Sequence, residues 1–311
     1  MMASASSAAL EIGNSKRPSL LASLRATVPD FWALTKPEVN FLIVIATFTG
    51  FYLALPGDRH AFPFWTLLNT LLGTLLVASG TGTLNQVLEH RFDARMRRTS
   101  MRPVAAGRVR AANAAWFGIV LSIAGVLYLL FAVNALASVL AALTLVTYLF
   151  IYTPLKRKTP LCTLAGAFPG AMPPLIGWAA ASGSIATGGA WILYALLFLW
   201  QFPHFMAIAW MYREDYDRAG YLILPKKNVA NFLGWLTFVP SVGLFIVSLA
   251  SAAANTGGIL EYSAMVILGS GLLYYAGRQV LLRSRIASRQ LLKATIVYLP
   301  LQFLIFVLGK S

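Results

Sequence analysis

Charged residues are scarce in this sequence. Only 11% of its 311 residues are Asp, Glu, Lys or Arg, whereas 58% are hydrophobic. A soluble domain usually has about 25% charged residues, so the composition argues against a chain that folds in water. Long uncharged runs recur from about residue 39 to residue 309. Each approaches the roughly 20 residues that a helix needs to cross a bilayer, which predicts a polytopic membrane protein.

The sequence also lacks several kinds of reactive motif. It has a single cysteine, Cys162, which excludes an internal disulfide and a cysteine-based metal site. We interpret Cys162 as a small buried apolar residue. No nucleotide-binding loop, Cys/His zinc spacing or serine-nucleophile motif is present. ATP-driven and hydrolytic chemistry therefore have no support in the sequence.

Nine apolar spans can be placed along the chain, at residues 39–56, 65–88, 112–131, 134–152, 162–181, 189–210, 231–252, 261–279 and 290–309. Very short connections between some of them force antiparallel neighbours. Only helices and closed barrels satisfy backbone groups in lipid, and the spans lack the alternation of barrel strands. We therefore predict an all-α fold. We expect residues 29–311 to form one transmembrane domain, and residues 1–28 to form a Ser/Ala-rich cytoplasmic leader that is disordered or lies on the membrane surface.

The basic residues are concentrated on one side of the predicted bundle. All but two of the 25, Arg59 and Lys310, fall before span one or near the connections after spans two, four, six and eight. The positive-inside rule makes that side cytoplasmic, so the N-terminus is inside and nine crossings place the C-terminus outside. The net charge of +15 is then mostly a topology signal, and no nucleic-acid partner is predicted.

An acidic cluster lies at the end of the second span. Asn85, Glu89 and Asp93 are spaced four residues apart, so they share one helix face over about 12 Å. Oxygen ligands of this kind suit Mg²⁺, which prefers one or two carboxylates, waters and substrate phosphates. The arginines nearby favour phosphate as the other partner. The alternative is an ordinary solvated helix end, on which the two carboxylates pair with Arg91, Arg95 or Arg97.

Two glycines precede this cluster. Gly80 and Gly82 predict close approach of a neighbouring element or ligand, and plain small-residue helix packing explains them equally well.

Two further polar segments are predicted on the same side. The loop "YTPLKRKTP", residues 152–160, contains Lys156, Arg157 and two prolines that we expect to keep it out of helix. Its basic residues either bind a diphosphate or only mark the cytoplasmic side of the membrane. After span six, Glu214, Asp215 and Asp217 form a second acidic cluster. It is either the opposite wall of a metal–diphosphate site or an ordinary polar loop.

One histidine lies inside an apolar span. His204 follows Pro203. Its side chain either forms a hydrogen bond, to a neighbouring helix or to a backbone carbonyl freed by the proline, or acts as a ligand or a base.

Six segments together resemble a known family. "NQVLEHRFDARMRRTSMRP" at residues 85–103 is similar to the first motif of the UbiA-type intramembrane prenyltransferases. "LTKPEVN", "YTPLKR", "PGAMPPLIGW", "PHFMAIAW" and "EDYDRAGYLILP" are similar, in order, to landmarks of the branch that modifies heme. The resemblance covers roughly residues 30–309. It implies nine helices around a lipid-open cavity whose polar end faces the cytoplasm.

The resemblance also implies a reaction. A farnesyl group would pass from farnesyl diphosphate to a vinyl group of heme B, with addition of water, giving heme O and pyrophosphate. Asn85, Glu89 and Asp93 would hold Mg²⁺, and Asp215 with Glu214 would supply a second metal position. The diphosphate would bind the basic side chains of the two matching motifs, which are Arg98, Arg102, Lys156 and Arg157.

Further consequences follow from the same resemblance. His204 would contact heme or handle a proton. A heme A synthase or terminal oxidase assembly is a candidate partner, beside the lipid bilayer. A bacterial inner membrane is favoured over a mitochondrial one.

The chain departs from the broader family at three positions. Glu89 stands where Asp is usual, and Tyr212 and Tyr216 occupy the two Asp positions of the second motif. The number of metal ions is therefore left open.

Two other functions remain as alternatives. A sister prenyltransferase would modify an aromatic quinone precursor. A transporter of an anionic lipid or metabolite would need charges deep in several spans and paired halves with interrupted helices. The charges lie at one face instead, which favours a one-sided reaction chamber.

Overall fold

The structure, a computed structural model, describes residues 28–57, 62–254 and 258–310. These residues form helices and connecting turns, with no strand among them, which confirms the predicted all-α class. The predicted leader, apart from residue 28, and Arg59 lie outside the described residues. The division into a leader and one transmembrane domain therefore stays a prediction.

A short helix, α1, covers residues 28–34. The longer elements follow as α2 (Pro37–Ala54), α3 (Phe64–Asp93), α4 (Ala111–Ala132), α5 (Ala135–Val146), a π-helical turn (Thr147–Tyr152), α6 (Thr153–Leu155), α7 (Cys162–Gly170), α8 (Met172–Ser182), α9 (Gly188–Met211), α10 (Arg213–Ala219), α11 (Val229–Ala254), α12 (Gly258–Leu282) and α13 (Arg285–Leu308).

Eight helical segments in the described ranges are long and apolar enough to cross a membrane. The one predicted span outside these eight is the fifth, residues 162–181. It consists of two shorter helices, α7 and α8, which meet at Ala171. Pro173 and Pro174 cannot donate backbone hydrogen bonds to the turn before them, which separates α8 from α7. The count of nine crossings and the cytoplasmic position of one end remain predictions.

The prediction that residues 152–160 lie outside helix is wrong for their first part. The fourth span continues through the π-helical turn into α6, and Pro154 occupies the first turn of α6. A π-helical turn accommodates a residue that cannot complete the normal ladder, and such turns are often found at functional sites. Turns follow from residue 156.

Small residues bring neighbouring helices into close contact. A methyl group at Gly50 of α2 would lie 2.0 Å from the carbonyl oxygen of Pro174 in α8. One at Gly80 of α3 would lie 2.3 Å from Oγ of Ser122 in α4. Gly80 therefore serves helix packing. A Cβ atom at Gly82 would instead face the side chain of Lys36, 3.5 Å from its Cδ atom. Helix packing therefore explains Gly80, and the close approach of a neighbouring element explains Gly82.

The helix bundle has an apolar exterior. Side chains such as Trp116, Phe131 and Ile267 are more than two-thirds exposed, at 69%, 83% and 72%. Buried apolar side chains form one core among α9, α11, α12 and α13, and another among α2, α3, α5 and α8. A helix that is hydrophobic on its outer as well as its inner face is typical of a membrane span.

The two ends of the bundle differ in their polar contacts. Lys310 donates hydrogen bonds to the carbonyls of Tyr52 and Leu55 at the C-terminal end of α2, at 2.5 and 2.6 Å. Lys36 precedes the other end of the same helix.

Cys162 is fully buried and free, as predicted.

Candidate active site

Four chain segments meet at one end of the bundle. Lys36 precedes α2, the acidic residues end α3, Lys156 follows α6, and α10 follows α9. Because consecutive spans are antiparallel, the start of α2 lies at the same end as the C-termini of α3, α6 and α9. Hydrogen bonds between these segments, described below, make this end the candidate active site.

The three predicted metal ligands lie on one buried face of α3. Asn85, Glu89 and Asp93 are 2%, 6% and 1% exposed, and α3 extends through Asp93. A carboxylate removed from water must be paired and hydrogen-bonded to remain charged. This burial therefore requires partners for both acids.

Each of the three has one basic partner. Lys36 Nζ donates to Oδ1 of Asn85 at 2.9 Å. Lys156 Nζ donates to both oxygens of Glu89, at 2.9 and 3.2 Å.

Arg102 binds both oxygens of Asp93 at 2.9 and 2.8 Å. The alternative pairing with Arg91, Arg95 or Arg97 is wrong, since these three are exposed and the carboxylates face the other basic residues.

Lys36 is a site residue that sequence reasoning missed. Its backbone is left-handed (φ 55°, ψ 61°), which is unusual for a residue other than glycine. Its side chain runs along Gly82 to Asn85. Burial, followed by the charges of Arg102 and Lys156, lowers the pKa of Lys36 from 10.5 to about 7. The available signal was a basic residue directly before the first apolar span.

The predicted basic loop adjoins the acidic face of α3. The Nζ atom of Lys156 lies 4.4 Å from the centre of the Tyr152 ring, and the guanidinium of Arg157 lies 4.8 Å from that of Phe92. The carbonyl of Lys156 accepts from the backbone N–H of Leu222 at 2.8 Å. This bond ties the loop to the segment after α10.

Asp215 links the second acidic segment to the first motif. Its Oδ2 atom accepts from the backbone N–H of Arg98 at 3.3 Å, and Oδ1 accepts from Arg218 at 3.0 Å. Asp215 is 8% exposed. The Arg98 side chain also reaches this segment, since it donates to the hydroxyl of Tyr216 at 3.4 Å.

Glu214 is not brought into this cluster. Its side chain is 73% exposed and lies 3.9 Å from Arg213, and Asp217 is also exposed. No group of three or more His, Cys, Asp or Glu side chains within the described ranges is arranged to hold a metal ion. Glu89, Asp93 and Asp215 each bind a basic side chain instead. The metal roles of these residues remain predictions.

His204 contacts the neighbouring helix α13. Its Nδ1 atom lies 2.9 Å from Oγ1 of Thr295, and its ring stacks on Trp200 with centroids 4.6 Å apart. The freed carbonyl near Pro203 is therefore not its partner, and the interhelical bond is the interpretation that holds for Nδ1.

The apolar helices and the buried ion pairs at one end define the class of this protein as a helical integral membrane protein with a polar site at one end of the bundle. The chain belongs to the UbiA prenyltransferase family, whose model matches residues 43–301. It is 42% identical over 288 residues to the protoheme IX farnesyltransferase of Solibacter usitatus, covering 90% of this chain and 98% of that protein. The enzyme of the same name from Salinibacter ruber is 40% identical, covering 87% and 95%.

Solved structures share the fold at low sequence identity. A digeranylgeranylglyceryl phosphate synthase is similar with a TM-score of 0.74 and 17% identity, covering 92% of this chain and 98% of that one. A UbiA homologue from Archaeoglobus fulgidus, bound to GPP and Mg²⁺, gives a TM-score of 0.62 at 14% identity, covering 86% and 99%. The chain is therefore a prenyltransferase-family membrane protein with the UbiA fold.

Proposed function

We propose that this protein transfers the farnesyl group of farnesyl diphosphate to a vinyl group of heme B, giving heme O and pyrophosphate. The observation that carries the proposal is the buried set of Asn85, Glu89 and Asp93, each paired with one basic side chain. The two members of each pair can separate when a cation binds the α3 oxygens and an anion binds the basic side chains. The acceptor is inferred from relatives named protoheme IX farnesyltransferase, which are 42% and 40% identical.

The α3 donor set fits Mg²⁺, because it offers two carboxylates and an amide oxygen. Bound there, Mg²⁺ would neutralise charge that develops on the leaving diphosphate. The UbiA homologue from Archaeoglobus fulgidus was solved with a prenyl diphosphate and Mg²⁺, which supports the same requirement here. Asp215 is the candidate for a second metal position, whereas the exposure of Glu214 weakens its claim.

The basic side chains then act on the substrate. Lys36, Lys156 and Arg102 leave the α3 oxygens and bind diphosphate oxygens, where they stabilise the negative charge of the leaving group. Arg98 and Arg157 lie beside them, held against Tyr212 and Phe92. The apolar surroundings keep water from the farnesyl cation until it meets the acceptor.

The bonds balance as follows. The C–O bond between farnesyl and diphosphate breaks, and its electron pair leaves with the diphosphate. The vinyl group donates a pair to form the new C–C bond. Water then adds to the resulting cation and loses a proton, so that the product carries a hydroxyl group.

We also propose that the site faces the cytoplasm of a bacterium and that the protein lies in the inner membrane. The bacterial relatives and the basic residues at the site end support this position. A heme A synthase or terminal oxidase assembly would be the recipient of heme O.

The direct test is an assay of purified protein with heme B, farnesyl diphosphate and Mg²⁺, analysed by mass for heme O. We expect heme O and pyrophosphate in equal amounts, and loss of product when Mg²⁺ is chelated. Prenylation of an aromatic quinone precursor, with heme B left unchanged, would contradict the proposal.

A further inference from the structure

His204 has one ring nitrogen fixed and one free. Nδ1 lies 2.9 Å from Oγ1 of Thr295. Thr295 is fully buried and Trp200 is 6% exposed, whereas His204 is only partly buried. The Trp200 indole N–H donates to the carbonyl of Thr295 at 2.8 Å. The imidazole is therefore held between the indole of its own helix and a hydroxyl of α13.

The hydroxyl of Thr295 determines the tautomer of His204. Oγ1 donates its single hydrogen to the carbonyl of Leu292 at 2.7 Å. With that hydrogen committed, Oγ1 can only accept from His204, so Nδ1 carries the ring proton. In a neutral imidazole the other nitrogen, Nε2, then has the lone pair.

Nε2 has no hydrogen-bond partner among residues 28–57, 62–254 and 258–310, and it is not fully enclosed by them. A polar group that faces hydrocarbon without a partner is costly, and polar side chains inside membranes usually face an interior cavity. A stacked, tautomer-fixed ring with one open lone pair is arranged to accept a ligand.

We propose that Nε2 of His204 is the axial ligand of the heme iron, and that Thr295 is the residue that positions it. The assignment rests on heme B as the substrate of the proposed function. No cluster of three potential ligands accompanies His204 in the described chain, so a free metal ion would be poorly held. A porphyrin supplies four nitrogens to its iron and needs only one more from the protein, and histidine commonly fills that position.

The test is a titration of the detergent-solubilised protein with heme B alone, followed by optical and electron paramagnetic resonance spectra. Wild-type protein should give an imidazole-ligated spectrum. His204→Ala should lose it, and added imidazole should restore it. An unchanged spectrum in His204→Ala would overturn the assignment of the iron ligand.

The role of Thr295 is tested with a conservative pair. Thr295→Val keeps the shape but removes the acceptor for Nδ1–H, and we expect about 10- to 100-fold weaker heme binding, as for other partners of metal-ligating histidines. Thr295→Ser should restore the affinity. The control is Thr70→Val, because Thr70 is equally buried but bonds only to Thr66 of its own helix. Equal heme affinity in Thr295→Val and wild type would refute the positioning role.

These spectra need no farnesyl diphosphate, so they separate the two proposals. A His204-dependent heme spectrum without heme O synthesis would contradict the proposed reaction and leave the iron ligand supported. Heme O synthesis with an unchanged spectrum in His204→Ala would support the proposed reaction and refute the assignment of the iron ligand. If His204→Ala does not fold, His204→Gln provides the same comparison, since its amide is a poor iron ligand.

Discussion

The ammonium group of Lys36 lies 2.9 Å from the amide oxygen of Asn85, although the two residues are 49 positions apart in the sequence. This contact places a cation from the start of α2 against the deepest member of the acidic face of α3. Lys36 is surrounded by Arg102, Lys156, Glu89 and Asp93 closely enough for their charges to shift its pKa. It therefore belongs to the proposed diphosphate site.

The first prediction concerns the pH dependence of diphosphate binding. Burial and the neighbouring cations lower the pKa of free Lys36 to about 7, and a bound diphosphate must raise it again. Binding then takes up a proton above pH 7, so affinity should fall as the pH rises, by up to about tenfold per pH unit. The measurement is the Kd of a non-ionising farnesyl diphosphate analogue across this range.

Two variants serve as controls for this prediction. Lys36→Met should bind the analogue more weakly at low pH and show a flatter profile, because it has no proton to gain. Lys36→Arg stays charged, so it should also lose the slope while retaining affinity. The assignment to Lys36 would be refuted by the same slope in all three proteins.

The second prediction concerns the buried pair of Glu89 and Lys156. Their side chains are only 7% and 12% exposed, so Lys156→Met leaves a carboxylate buried without its partner. Loss of one member of such a pair typically costs about 3–5 kcal/mol. Thermal unfolding in detergent should show this loss, and Glu89→Gln combined with Lys156→Met should recover most of it. The double variant should still lack activity, and failure of this rescue would show that the pair does not control stability.

Helix periodicity and spacing were enough to predict much of the fold. They gave the all-α class and the common face of Asn85, Glu89 and Asp93. The apolar run predicts that the second span ends at residue 88, where polar residues begin. In the structure α3 continues to Asp93, since basic side chains from other segments neutralise that face. The division of residues 162–182 into α7 and α8 was also missed, because an apolar run shows the same composition whether or not prolines divide it.

The partners within the site could not be predicted from local sequence. Lys36 and Lys156 are 49 and 67 positions from the residues they bind, and no helix periodicity connects them. Glu214 and Asp215 are adjacent in sequence, yet one is exposed and the other buried. The structure separates them because neighbouring positions on a helix point about 100° apart.

The third prediction concerns Asp93. Asp93→Asn keeps the volume but removes the charge proposed to bind Mg²⁺, so turnover should fall at least about 100-fold. The free energy of unfolding should change less than in Lys156→Met, because Arg102 is 27% exposed and can turn toward water. Asp217→Asn is the control, because Asp217 is an exposed acid in the second acidic segment. Near-normal turnover of Asp93→Asn would rule out the metal role.

The fourth prediction distinguishes the two adjacent acids. Asp215→Ala removes the acceptor of the Arg98 backbone N–H and the partner of Arg218, so the loop that carries Arg98 should loosen. We expect a large fall in kcat/KM for farnesyl diphosphate. Glu214→Ala should cause a much smaller fall, because its side chain is largely exposed. Equal losses would show that Glu214 joins the site when substrate binds.

The last prediction concerns the contact between α2 and α8, which holds the start of α2 in place. A Cβ atom at Gly177 would lie 2.0 Å from the carbonyl oxygen of Thr47 and 2.8 Å from the backbone nitrogen of Phe51. Backbone atoms cannot turn aside, so Gly177→Ala must separate the helices, at a cost of about 1–3 kcal/mol. Thermal unfolding in detergent should show this loss.

The matched control for Gly177→Ala is Gly271→Ala in α12, where a Cβ atom would meet nothing within 4 Å. Its stability should change little. Because α2 carries Lys36 at its start, Gly177→Ala should also weaken binding of the diphosphate analogue, whereas Gly271→Ala should not. A Gly177→Ala protein that unfolds at the wild-type temperature would show that the helices can separate without cost.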